Sequence, residues 1–165
     1  MLRRFFADLY LTRRFIMAWG LVILGCLCAY FIPSCGPITM AMAFGVLLLC
    51  CVDLYLLFRF RQPITGYREV AERFSLAEVN EVKLHIQSKY PFTVQLTILD
   101  ELPEVLQIRD LSFLQTIEAS GKCEIQYPLI PRERGEYRFG VVWVYVSTRL
   151  SLIERRCQTC KEQMV

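Results

Sequence analysis

The reading of one stretch decides the fold: FIMAWGLVILGCLCAYFI-PSCGP-ITMAMAFGVLLLCCVDLYLLF, residues 15–58. Phe15 to Ile32 contains no charged residue, and Ile38 to Phe58 contains a single one, Asp53. At the rise of an α-helix each run covers roughly 27 to 32 Å, the thickness of a bilayer's hydrocarbon core. The link Pro33-Ser34-Cys35-Gly36-Pro37 cannot carry a helix through, because proline lacks the N–H and clashes with the preceding turn. The pattern predicts a two-helix transmembrane hairpin over 15–58, with spans 15–32 and 38–58. A secretory signal has an apolar core of about 7 to 15 residues and a small-residue cleavage site. Here the core is longer and a second span follows at once.

Outside the hairpin the charges are arranged asymmetrically. Arg3, Arg4, Arg13 and Arg14 precede it and Arg59, Arg61 and Arg68 follow it, while the link carries no charge. The positive-inside rule then places both termini, and all of residues 59–165, in the cytoplasm. In residues 1–14, Leu2, Phe5, Phe6 and Leu9 recur at helical spacing with Arg3, Arg4, Asp8 and Arg13 in other directions. That suits a short amphipathic helix in the interface; a first span that simply begins early fits the same residues.

Composition narrows the function classes. The net charge is +3, and from Arg59 onward 15 basic residues face 14 acidic ones, so no concentrated basic field exists for nucleic acid. Cys26, Cys28, Cys35, Cys50 and Cys51 lie in or beside the spans, where cysteine behaves as a small apolar residue. Cys123, Cys157 and Cys160 fall on the reducing side, so no disulfide framework is implied.

Beyond the spans the periodicity changes to two. After a juxtamembrane segment and first strand over 59–79, Val82, Leu84 and Ile86 alternate with Lys83, His85 and Gln87. Val94, Leu96 and Ile98 alternate with Thr93, Gln95 and Thr97, and Ser88-Lys89-Tyr90-Pro91 is the turn between the two strands. Cys123 to Leu129 reads as a strand and Pro131 to Gly135 as a turn. Glu136 to Val146 reads as one long strand with Tyr137, Phe139, Val141, Trp143 and Tyr145 on one face. Leu150 to Arg155 reads as a last strand, with the sandwich closing at 156 and a tail over 157–165. The expected fold is a membrane α-helical hairpin followed by an all-β, immunoglobulin-like sandwich.

Candidate chemistry is sparse. His85, the only histidine, lies on the polar face of its strand and reads as a solvated residue, leaving no base for a serine or cysteine nucleophile. Cys157-Gln158-Thr159-Cys160 is a CxxC able to hold a soft metal or cycle as a dithiol, but a structural zinc site needs four ligands and no second pair is present. Asp100, Glu101 and Glu104 read as a solvated acidic loop without EF-hand spacing. Asp53, the ionisable group within a span, is a functional hypothesis by default; near the cytoplasmic end it can reach water or pair with Arg14 or Arg59. No catalytic, cofactor or metal site is expected. A thiol or metal protein acting through Cys157 and Cys160, and a small transport subunit using Asp53, stand as alternatives.

Pro131-Arg132-Glu133-Arg134-Gly135-Glu136-Tyr137-Arg138-Phe139-Gly140, behind two spans with an aspartate late in the second, resembles the amino-terminal half of the bacterial domain-of-unknown-function 58 family. Tyr10 to Phe15, Asn80-Glu81-Val82 and Asp100-Glu101-Leu102-Pro103 support the resemblance. Arg134, Gly135, Tyr137, Phe139 and Gly140 then form a structural motif, a hairpin turn with Tyr137 and Phe139 packing inward. Ser88 stands where the family tends to have asparagine, and Ser151 where glycine is usual. The resemblance implies a multi-pass protein of the bacterial inner membrane, non-enzymatic, partnered by a MoxR-type AAA+ ATPase and von Willebrand A-type proteins in chaperone-like or envelope-assembly work. It also implies a truncated form, since the family's von Willebrand A-like domain would follow Val165.

Overall fold

The computed structural model describes residues 8–71, 74–76, 78–106, 111–131, 135–160 and 163–164. They fall into two compact units, one drawn from Met1–Phe60 with Ser147–Arg155 and the other from Arg61–Val146 with Arg156–Val165.

The first unit is built on two helices, α1 (Arg13–Phe31) and α2 (Gly36–Phe58), both long and apolar enough to cross a membrane. Thr12 starts α1, its side-chain oxygen accepting from the Phe15 N–H at 3.3 Å as an N-cap should. The helix stops at Pro33, which opens a 3-10 turn through Cys35, and α2 begins with Pro37 in its first turn, where a missing N–H costs nothing. The helices meet closely at Gly25, where a Cβ would stand 2.8 Å from Thr39 Cγ2. A short strand, β1 (Leu9–Leu11), precedes α1 and pairs antiparallel with residues 153–155, Leu9 opposite Arg155 and Leu11 opposite Ile153. This corrects the helix expected over 1–14: from Leu9 to Leu11, pairing with a distant segment overrides local amphipathicity, and Met1 to Ala7 lie outside the described residues.

The second unit is antiparallel sheet. β2 (Ile64–Glu69), β3 (Asn80–Ser88) and β6 (Lys122–Leu129) form one sheet, with β3 in the centre. β4 (Val94–Asp100), β5 (Ser112–Ile117), residues 142–146 of β8 (Val142–Ser147) and residues 156–160 of β9 (Ile153–Cys160) form the other, in the order β9-β8-β4-β5. The expected alternation holds on β3 and β4: Val82, Leu84, Val94, Leu96 and Ile98 are all fully buried, and Ile86 nearly so. Across the core Phe113 of β5 stacks on Tyr127 of β6 at 5.6 Å. Ser88 Oγ accepts from the Tyr90 N–H at 3.2 Å, so a serine performs the local turn contact that asparagine also makes.

Two expected elements are drawn differently. The long strand 136–146 is broken into β7 (Arg138–Phe139) and β8, and the buried face changes from Tyr137 and Phe139 to Val142, Val144 and Val146. Gly140 causes the break: its N–H donates to Glu101 O at 2.8 Å, and a Cβ there would stand 2.7 Å from the Glu101 side chain. The last strand runs to Cys160, and β10 (Gln163–Met164) pairs with β7, so the segment expected as a tail is partly sheet. Partners on neighbouring strands, invisible to local periodicity, extend it.

Candidate functional site

Three arrangements gather polar side chains, each within one unit. In the first unit Asp53, late in α2, is fully buried. Its Oδ1 accepts from the Thr148 hydroxyl, and its Oδ2 accepts the backbone N–H groups of Leu152 and Ile153 at 3.1 and 3.0 Å. The expected partners, Arg14 and Arg59, are engaged elsewhere: Arg14 donates to the carbonyls of Arg149 and Leu150 at 3.4 and 3.3 Å, and Arg59 lies over the Tyr55 ring. Thr12 Oγ lies 2.6 and 3.0 Å from the carbonyls of Ser151 and Leu152, and Arg155 donates to Leu57 O and Phe60 O at 2.7 and 2.6 Å. Those last contacts satisfy carbonyls that the end of α2 leaves unpaired. Segment 148–153 thus accepts hydrogen bonds from Arg14 of α1 and donates to Asp53 of α2, and Ser151 within it has φ of 51°, the left-handed region that favours glycine.

In the second unit Asp100 is a buried strand residue, not the start of a solvated acidic loop. It continues the inward series Val94, Leu96, Ile98, ion-pairs with Arg68 of β2 and accepts from the Tyr127 hydroxyl. Arg68 also donates to Gly140 O at 3.2 Å and lies over the Phe139 ring. Burial, then the neighbouring Asp100 charge and its hydrogen bond, push the Tyr127 phenol well above its ordinary range, so it stays a neutral donor. Glu101 is exposed and accepts from Trp143 Nε1 at 2.8 Å.

The third arrangement is on the solvent side of the β2-β3-β6 sheet. In register, Tyr67 stands opposite His85 and His85 opposite Glu124. The Tyr67 and His85 rings stack at 4.6 Å, 20° from parallel, beside an open depression of about 590 Å³ that Lys122 and Gln87 also line. His85 Nε2 lies 3.0 Å from Glu69 Oε2, and Nδ1 lies 3.8 Å from Glu124 Oε2. The histidine is therefore half-buried and held on both sides, where the sequence suggested a solvated residue.

The remaining candidates do not assemble. Cys157 and Cys160 lie on one strand, three residues apart and hence on opposite faces, with Cys160 buried and its thiol pushed up chiefly by that burial. Among the described residues no group of three or more His, Cys, Asp or Glu side chains is arranged to hold a metal ion. Of the motif around residue 135, Arg134 lies outside the described residues, Gly135 is exposed at a bend, Tyr137 and Phe139 are buried, and Gly140 makes the close approach to Glu101.

The sequence carried signals for what was missed. Arg68 shares strand parity with buried Ile64, and Asp100 with Ile98, so two charges fell on inward positions of facing strands. The Thr148 contact had no such signal, because it joins residues 95 positions apart.

No protein-family model matches this chain, and no curated protein matches it. Among solved structures it is similar to the CARDB domain of the PF1109 protein from Pyrococcus furiosus, with 10% identity and a TM-score of 0.42, over 62% of this chain and 97% of that one. It is also similar to an ASH/PapD-like domain of human CEP192, with 12% identity and a TM-score of 0.41, over 62% of this chain and 83% of that one. At such scores neither likeness bears on what this chain binds.

Proposed function

We propose that this chain is a non-enzymatic, membrane-anchored protein-interaction module of the bacterial inner membrane. In this reading α1 and α2 span the bilayer with both termini cytoplasmic, and an immunoglobulin-like sandwich offers its surface to protein partners. By the family resemblance those partners are a MoxR-type AAA+ ATPase and von Willebrand A-type proteins. The observation that carries the anchor is the apolar surface of the helices: Phe31 is 79%, Met40 77%, Phe44 67% and Leu21 62% exposed. Apolar area on that scale asks for lipid or protein cover. Asp53 supports an anchor over an ion path, since both its oxygens are already engaged by Thr148, Leu152 and Ile153.

Cysteine labelling and direct binding test the reading. Cys123 is a poor topology reporter, half-buried and with its thiol pushed up by burial. Thr116→Cys, exposed on β5, serves better. A membrane-impermeant thiol reagent on intact cells is expected to modify Cys35 and to reach Thr116→Cys only after permeabilisation; the opposite pattern breaks the topology. A purified MoxR-type ATPase is expected to bind the detergent-solubilised chain, and no binding removes that partner.

A further inference from the structure

The solvent side of the β2-β3-β6 sheet has a definite chemistry. Tyr67 is 61% exposed, stacked on His85 through one ring face. Glu69 and Glu124 flank that stack, with side chains 63% and 52% exposed and a contact to His85 through one oxygen each. Neither Lys83 nor Lys122 forms an ion pair with them among the described residues. His85 is the ring held between the two carboxylates, and Tyr67 stacks on it. The open Tyr67 ring suits a guanidinium or ammonium group through a cation–π contact, and each accessible carboxylate suits one through charge-assisted hydrogen bonds. The depression runs along this row past Thr65 and Gln87, and β2 is an edge strand of its sheet among the described residues. An extended segment beside Tyr67 can therefore also use main-chain groups of β2.

We propose that this face, centred on Tyr67, His85, Glu69 and Glu124, is the docking site for an extended, arginine- or lysine-bearing segment of a protein partner. The proposal rests on the interaction-module reading and deepens it by naming the face and the chemistry of the partner. Charge complementarity selects the occupant: two accessible carboxylates bracket His85, against the one lysine, Lys122, that lines the depression, and an acidic segment would meet the carboxylates directly.

The test uses the detergent-solubilised full chain and a labelled nine-residue peptide alternating arginine and threonine, followed by fluorescence anisotropy beside the same peptide with glutamate for arginine. The basic peptide is expected to bind about tenfold more tightly than the acidic one. Tyr67→Ala is expected to weaken it about fivefold, and Glu69→Gln with Glu124→Gln about tenfold. Glu118→Gln with Glu136→Gln, the same charge change at exposed positions elsewhere, is expected to leave it unchanged. Equal affinity for the two peptides, tighter binding of the acidic one, or equal loss in the control variant overturns the proposal. Binding of the purified ATPase to the same samples separates the two readings. If the ATPase binds wild type and variants alike, the module stands and this face is the wrong one. If the peptide pattern holds and the ATPase binds neither, the face stands and that partner falls.

Discussion

Among the described residues each unit buries one aspartate, and the two are satisfied by different means. Asp53 in the helical unit is held by a hydroxyl and two main-chain N–H groups of a single segment, with no ion pair to a cation among the described residues. Asp100 in the sheet unit faces the Arg68 guanidinium and the Tyr127 hydroxyl, side chains from two other strands. Main-chain donors fix the path of the chain that carries them, so Asp53 shapes segment 148–153. A charged side-chain partner instead makes the two buried charges depend on each other.

The same substitution in both places breaks or sharpens that contrast. Asp100→Asn removes the charge facing buried Arg68 and is expected to destabilise the sheet unit by about 3–5 kcal/mol, read from the denaturant midpoint of the near-UV signal. Asp53→Asn keeps an acceptor oxygen but leaves one set of donors facing an amide. Its expected cost is about 1–3 kcal/mol, read as faster hydrogen exchange at the Leu152 and Ile153 amides with little change in the sheet unit. If the two variants cost the same and exchange at Leu152 is unchanged, the distinction fails. The smallest effect is expected at Ser151, where φ of 51° disfavours a side chain: Ser151→Gly is expected to slow exchange at Leu152, a gain of about 0.5–1 kcal/mol. Faster exchange there would mean that the loop does not need the left-handed conformation.

Much of this architecture is legible in the residues. The apolar runs and the prolines at 33 and 37 mark both helices to within two residues, because span length and helix breaking are local properties. Period-two alternation marks β3 and β4 for the same reason. Ser151, at φ of 51°, stands where the backbone favours glycine. The site is less legible. Asp100 followed by Glu101 looks like a polar loop until Arg68 on a facing strand supplies the counter-charge, and His85 looks solvated until Tyr67 is paired opposite it.

By itself, then, the sequence determined the elements whose causes are local: two apolar helices, the turn between them, alternating strands, and a charge balance unsuited to nucleic acid. Tertiary structure decided whatever depends on pairing across the chain. It turned Leu9–Leu11 from helix to strand, broke the 136–146 strand where Gly140 meets Glu101, gave Asp53 a loop instead of arginines, and set Tyr67 against His85 between two carboxylates. Local patterns report which face of a segment is apolar; only the register between strands states which polar groups then stand opposite one another.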